Sequence, residues 1–453
     1  MRCSFTKLFS KAKTFELTPH RILLLSYISL IITGSFLLYV PLSATKSVSY
    51  LDALFTATSA TTVTGLVVLD TEKDLTFFGK LVVLILIQLG GLGYMTLTTY
   101  FLIVLRRKLS LRDRLILAES FNYPGIYGLV RFVKRIIPVV FLIEFLGALA
   151  LFPSFLLSLK DPQEALFVSV FHSVSAFNNA GFSTFSSNLM NFKGNSFFNV
   201  VIVSLIFLGG IGFYVIYEII IYTKGEMKRL STHTKLVLMS SFALIFSGFF
   251  LLFIDLRNFH NLSFKEKVMA SFFHSISART AGFNTIDISM LSEASQFVLI
   301  NLMFVGASPG GTGGGIKTVT AIVVFLAIVS YLRGRDDVIV LGRRLVNTQV
   351  NKAMVILSLA FVYCTFMALT IAEVENIKLL PALFETVSAF STVGLSLGNP
   401  DGLSLCADFS PFGKILIILT MIIGRVGVLG FMLALLGKEK PNSVNFPEAR
   451  LLI

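Results

Sequence analysis

The sequence predicts an all-α integral membrane protein of four repeated units, each a span, a re-entrant half-helix and a second span, in a pseudo-fourfold arrangement around a central axis. Three observations predict it. The 453 residues are 55% hydrophobic and only 14% charged, with a mean hydropathy of +0.83, whereas soluble domains carry roughly 25% charge. Eight apolar stretches are long enough to cross a hydrocarbon core, which takes about 20 helical residues. A short motif recurs four times, always between two of those stretches.

The composition excludes an ordinary cytosolic enzyme. Cys3, Cys364 and Cys406 have neither zinc spacing nor a paired disulfide pattern. The net charge of +13 does not point to nucleic acid, because the basic residues lie in short runs between apolar stretches and read as topology signals.

The spans cover residues 22–40, 77–105, 136–159, 197–222, 236–254, 297–331, 353–371 and 415–436. The first ends in Tyr39, Val40 and Pro41 instead of a small-residue cleavage site and reads as a retained helix. Four basic clusters fall an even number of spans apart: Arg2 to Arg21, Arg106 to Arg135, Lys224 to Lys235, and Arg333 to Lys352. Lysine and arginine near span ends stay on the cytoplasmic side, so both termini are expected there. The expected order is a cytoplasmic segment 1–21, unit one 22–105, a linker 106–135, unit two 136–223, a linker 224–235, unit three 236–332, a linker 333–352, unit four 353–437 and a tail 438–453.

The repeat is Phe, Ser-Ala four residues later, then Gly: Phe55, Ser59, Gly65; Phe171, Ser175, Gly181; Phe273, Ser277, Gly282; Phe384, Ser388, Gly394. The third copy is one residue shorter between Ser and Gly. A second glycine pattern follows at Gly90, Gly209, Gly310 and Gly424, at offsets of 25, 28, 28 and 30 residues. Those later glycines read as sites of close helix packing.

The stretch ending at Ser-Ala is about ten residues, or about 15 Å of helix, half of the hydrocarbon thickness. It enters and leaves on one face. Irregular backbone at membrane depth is tolerated only where it lines a wet cavity or is buried in protein, and four such loops are best satisfied by converging on a central pore. Before the glycines stand the neutral residues Val63 and Thr64, Asn179 and Ala180, Thr280 and Ala281, and Thr392 and Val393. With no carboxylate ring, a ligand there is held by backbone carbonyls, and the C-terminal ends of four half-helices add negative partial charge. A monovalent cation is the expected cargo.

Unit three carries Gly306, Ser308, Pro309, Gly310, Gly311, Thr312, Gly313, Gly314 and Gly315, a run that cannot hold a regular helix. A phosphate-binding loop is excluded because Ile316 separates Gly315 from Lys317 and no strand precedes it. Arg425 takes the place of Gly91, Gly210 and Gly311. An intramembrane arginine is either a functional charge or one satisfied by carbonyls or a carboxylate. Arg279 is expected behind the third glycine turn, against a carboxylate. His172 and His274 are expected to pack or hydrogen-bond, and Glu144 and Glu218 to be satisfied structural carboxylates, with a proton or sodium site as the alternative.

TTVTGL at Thr61–Leu66, FNNAGF at Phe177–Phe182, ARTAGFNT at Ala278–Thr285 and FSTVGLS at Phe390–Ser396 resemble the Trk/Ktr/HKT potassium transporter superfamily. The likeness covers nearly the whole chain and is strongest to the Ktr-type membrane subunit. It implies potassium uptake across the plasma membrane, with Gly65, Gly181, Gly282 and Gly394 at the selectivity filter; relatives with serine in the first loop tend to favour sodium. It further implies that residues 306–317 form an intramembrane gate with Lys317 as an accessory and Arg425 as an electrostatic barrier touching it. It implies a homodimer on a cytosolic ring of nucleotide- and NAD-binding regulatory subunits, with nucleotide only on that partner and no covalently bound cofactor. A sodium-permeable relative is the nearest rival. A membrane-embedded transferase would need a nucleophile and base, or a metal-binding acidic cluster, at motif spacing.

Overall fold

The computed structural model describes residues 18–105, 110–120, 125, 127–256 and 262–436. Arg2, Lys7, Lys11, Lys13, Arg106, Arg107, Lys108, Cys3 and the tail 438–453 lie outside the described residues.

Unit one comprises α1 (Pro19–Tyr39), α2 (Tyr50–Thr61), α3 (Phe77–Leu92) and α4 (Tyr94–Val104); α5 (Leu111–Ser120) follows it. Unit two comprises α6 (Leu129–Leu159), α7 (Pro162–Phe177), α8 (Ser196–Gly210) and α9 (Phe213–Thr223). Unit three comprises α10 (Thr232–Leu256), α11 (Phe264–Ser277), α12 (Glu293–Phe304) and α13 (Thr318–Leu332). After β1 (Ile339–Val340) and β2 (Arg343–Arg344), unit four comprises α14 (Asn347–Val374), α15 (Leu379–Phe390), α16 (Pro411–Val426) and α17 (Val428–Leu436).

Helices α1, α6, α10 and α14 are each long and apolar enough to cross a membrane. Their outward faces expose large apolar side chains, as with Phe141, Leu142, Phe145 and Leu146 on α6, a surface suited to lipid and not to water. The chain is a multi-pass, helical membrane protein.

The short helices α2, α7, α11 and α15 have 12, 16, 14 and 12 residues, longer than the ten expected. The longest still reaches only about 24 Å, short of a hydrocarbon core of about 30 Å. Ser49, Asp161 and Ser263 cap the first three, each accepting from a backbone amide of the first turn, and Ser263 with Glu266 forms a complete capping box. The repeated Phe55, Phe171, Phe273 and Phe384 are all buried. Each therefore anchors its short helix among the longer ones.

The second half of each unit departs from one continuous span. The chain bends by 76° between α3 and α4, by 99° between α8 and α9, and by 99° between α16 and α17. Gly93, Gly212 and Gly427 stand at these bends with φ of +79°, +97° and +85°, a region other residues enter only with strain. In unit three the interruption is wider: residues 305–317 separate α12 from α13. Among the described residues, the departures from an all-helical fold are the β1–β2 hairpin, which pairs Val340 with Arg343, and isolated bridges between Ala44 and Leu75 and between Val305 and Ile316. Leu341 and Gly342 both have positive φ, as a two-residue turn matched to strand twist requires.

Candidate functional site

The four short helices end at the four glycine turns. Two residues before each glycine the backbone enters the left-handed region, at Val63 (+50°), Asn179 (+57°), Thr280 (+87°) and Thr392 (+49°). Such a conformation costs a non-glycine residue about 1–2 kcal/mol, and strain repeated at equivalent positions marks a site where backbone direction matters. The next amide turns back to the helix: Thr64, Ala180, Ala281 and Val393 donate to the carbonyls of Ser59, Ser175, Ser277 and Ser388 at 2.8–2.9 Å. The repeated serine hydroxyl completes the turn. Ser59 and Ser388 accept from the amides of Gly65 and Gly394 at 3.0 and 3.1 Å, while Ser175 and Ser277 donate to the carbonyls of Phe182 and Phe283 at 2.8 and 2.5 Å.

The turns meet in cyclic order. A methyl group at Gly181 would lie 2.8 Å from the Ala281 carbonyl oxygen. Equivalent groups at Gly65, Gly282 and Gly394 would strike the carbonyl oxygens of Ala180, Val393 and Thr64. Each glycine thus packs on the carbonyl preceding the glycine of the next unit, and the fourth returns to the first. Space and backbone angle both demand glycine, whose φ values run from +69° to +89°.

A cavity of about 520 Å³ lies on one side, lined by all four glycines together with Asp70 and Asp287. A second, of about 590 Å³, is lined by Tyr27, Gly311, Gly313, Gly315, Lys317 and Arg425. The loop 305–317 lines the second cavity and packs against the glycine turns. Gly313 packs on Thr280, Gly314 on Thr392 and Gly315 on Ser391. The Gly314 amide donates to the Thr392 hydroxyl at 2.8 Å, and the amides of Ser308 and Thr312 donate to the carbonyls of Gly210 and Gly209 at 3.0 and 3.2 Å. The amide of Phe213 donates to the Gly310 carbonyl at 2.9 Å, with Pro309 against Gly212. Gly306 lies against Gly314. The bent helices of unit two therefore hold the loop.

Arg425 donates to the carbonyls of Thr312, Gly90 and Gly91 and, at 3.3 Å, to the Tyr27 hydroxyl. It joins the loop to units one and four. Lys317 Nζ donates to the Gly313 carbonyl at 2.5 Å. The downstream glycines sit against the half-helix ends: Gly90 on the Thr61 carbonyl, Gly209 on that of Phe177 and Gly424 on that of Phe390.

Arg279 corrects an expectation. It has no carboxylate partner among the described residues; Nη1 and Nη2 reach the Ser241 carbonyl and hydroxyl at 3.5 and 3.2 Å. The neutral carbonyl and hydroxyl of Ser241, on α10, stand where a carboxylate was expected. His172 and His274 hydrogen-bond within the protein. Glu144 accepts from Gln88 and Asn178 at 3.0 Å, and Glu218 accepts from the hydroxyls of Tyr214, Ser231 and Thr234. The sequence reading did not include Tyr27 or Ser391. Tyr27 lies on an apolar helix far from any motif, but Ser391 stands inside the fourth repeat.

Fold and site together define a multi-pass helical membrane protein whose four glycine turns close on one another between two cavities. The family described as "Cation transport protein", TrkH, matches residues 8–445. The chain belongs to that family, one of transporters and not of enzymes. It is 37% identical to the Ktr system potassium uptake protein B of Bacillus subtilis, covering 97% of each chain. It is 31% identical to the potassium/sodium uptake protein NtpJ of Enterococcus hirae, covering 97% of this chain and 98% of the relative. The crystal structure of the potassium transporter TrkH from Vibrio parahaemolyticus shares the fold, with a TM-score of 0.73 at 20% identity over 94% of this chain and 86% of the other.

Proposed function

We propose that this chain takes up potassium across the plasma membrane through a filter of backbone carbonyls. The observation that carries the reading is the closed circuit in which Gly65, Gly181, Gly282 and Gly394 meet the carbonyls of Ala180, Ala281, Val393 and Thr64. Carbonyl oxygens in a ring replace the hydration shell of a monovalent cation, and the half-helix C-termini add negative potential. In this reading the four units surround a pore in pseudo-fourfold order, with the filter formed by residues 63–65, 179–181, 280–282 and 392–394.

Residues 306–317 act as the gate, inserted beneath the filter and held there by Arg425 and Lys317. Arg425 also places a fixed positive charge where a cation leaves the filter. The acidic cavity with Asp70 and Asp287 faces outward, and both termini are cytoplasmic. Potassium is the cargo and no cofactor is resident. The Bacillus subtilis relative's name makes it one protein of a system, which supports further subunits, and in this reading they are a second copy of the chain and cytosolic nucleotide-binding regulatory subunits.

A second reading, sodium permeation, is favoured by the potassium/sodium uptake relative of Enterococcus hirae. Flux of K+, Rb+ and Na+ into liposomes holding the purified protein separates the two. Potassium and rubidium flux well above sodium, lost in Gly282→Ser and Gly394→Ser, is expected. Equal flux of all three ions in the unsubstituted protein sinks the potassium assignment, and zero flux until cytosolic regulatory subunits are added shows an obligatory partner.

A further inference from the structure

One residue after the repeated phenylalanine stand Thr56, His172, His274 and Glu385. All four are buried, and three of them, His172, His274 and Glu385, contact the segment that follows their glycine. In units two and three the imidazole Nδ1 faces a backbone carbonyl at 2.8 Å, that of Val168 or Ala270. A carbonyl only accepts, so Nδ1 carries the hydrogen and Nε2 is an acceptor. It takes the Ser183 hydroxyl at 3.0 Å in unit two and the Thr285 amide at 3.4 Å in unit three. Each ring thereby fastens its own post-glycine segment.

Unit four does the same with a carboxylate. Glu385 Oε1 accepts from the Ser396 hydroxyl at 2.5 Å and from the Leu397 amide at 3.2 Å, two and three residues after Gly394. Its Oε2 makes no hydrogen bond among the described residues. Unit one lacks the device, because the Thr56 hydroxyl also has no partner among those residues. Its segment is held from unit four instead: Val67 donates to the Ser404 hydroxyl at 2.9 Å, and the Ser404 amide donates to the Val67 carbonyl at 3.1 Å. Next to Ser404, the Leu405 amide donates to Ser396 Oγ at 2.8 Å, the same oxygen that donates to Glu385.

We propose that Glu385 is a positioning residue for two of the four glycine turns. It sets its own turn directly, through Ser396 and Leu397, and that of unit one through Ser396, Leu405 and Ser404. The inference rests on the potassium reading, because selectivity is what carbonyl placement controls. It touches no ion itself; it fixes the segments on which the carbonyls of Thr64 and Val393 depend.

The test is Rb+ and Na+ flux in liposomes for Glu385→Ala, Glu385→Gln and Ser404→Ala, with folding checked by thermal unfolding and elution profile. Glutamine keeps an acceptor oxygen for Ser396 and Leu397, so the Rb+ to Na+ ratio is expected to stay within about twofold of the unsubstituted protein, whereas Glu385→Ala loses about tenfold, the scale of one buried hydrogen bond. Ser404→Ala, which spares Glu385 and removes the hydroxyl that accepts from the Val67 amide, is expected to lower the ratio as well. A folded Glu385→Ala or Ser404→Ala protein with an unchanged ratio overturns the inference and leaves the potassium reading standing. An unsubstituted protein that does not discriminate overturns both.

Discussion

The amide of Gly314 donates to the hydroxyl of Thr392 at 2.8 Å, so the glycine-rich loop of unit three is fastened to the strained residue of the fourth glycine turn. A loop with five glycines in the six positions after Pro309 has little conformational preference of its own. Its inserted position depends on such individual ties.

Removing that tie is expected to ease the loop out of the pathway. Thr392→Val keeps the shape and deletes the acceptor, and deletion of residues 310–314 removes the segment that the gate proposal makes the obstruction. Both are expected to raise potassium flux in liposomes, the deletion by about tenfold or more if the loop limits conduction. Unchanged uptake in the deletion defeats the gate assignment.

Arg425 makes its bonds to the loop, to unit one and to Tyr27 from a single guanidinium. Arg425→Ala is expected to raise flux by releasing Thr312 and removing a positive charge from the cavity it lines. Arg425→Lys is expected to recover only part of the block, because a point charge cannot span several carbonyls as the planar fork does. Flux and gating indistinguishable from the unsubstituted protein in Arg425→Ala would show that the residue only packs.

Lys414 Nζ lies 2.8 Å from Asp52 Oδ1, with the two side chains 14% and 23% exposed. This pair joins the start of α16 to the first turn of α2, clasping unit four to unit one. Partly shielded from water, it is worth about 1–2 kcal/mol. Lys414→Ala is expected to lower the thermal midpoint, and the double substitution Asp52→Asn with Lys414→Met to recover part of the loss. A midpoint unmoved by Lys414→Ala contradicts this.

Glu226, in the connection after α9, pairs with Arg135 at 2.8 Å. The hydrogen bond from Arg135, with its charge, holds the Glu226 carboxyl below its ordinary value. A carboxyl depressed on folding contributes stability that is present above its unfolded value and is lost as pH falls through the folded one. The pair is exposed, so its contribution is small and salt-sensitive. A carboxyl chemical-shift titration is expected to place Glu226 below the usual carboxylate range and to raise it in Arg135→Ala; an unmoved midpoint in that variant refutes the pairing.

The repeat was legible because it lies in side chains whose identity the backbone requires. Glycine at Gly65, Gly181, Gly282 and Gly394 is forced by angle and contact together, so the four turns stand out from the apolar sequence around them. The bends at Gly93, Gly212 and Gly427 were less legible, because a glycine in an apolar run serves close packing and a broken helix equally well. Gly90, Gly209 and Gly424 are in fact packed on carbonyls, while the bend falls at the glycine three residues further on. Arg279 was misread because its partners are the carbonyl and hydroxyl of Ser241 on another helix, a neutral contact that no spacing in the sequence signals. Glu385 was in view in the aligned repeats, but its partners Ser396, Ser404 and Leu405 lie in loops where no spacing rule connects them.

The circuit of glycine-to-carbonyl contacts is made by one polypeptide. In an assembly of four identical chains, every substitution is copied four times around the axis, and a change small enough to be tolerated once is imposed at all quarters together. Here each quarter has its own letters: the third is a residue shorter, the second and third are braced by imidazole, the fourth by a carboxylate, and the first leans on the fourth. A substitution reaches one quarter, or the linked first and fourth, and on the carbonyl-filter reading preference among ions can then be adjusted in steps without losing the ring.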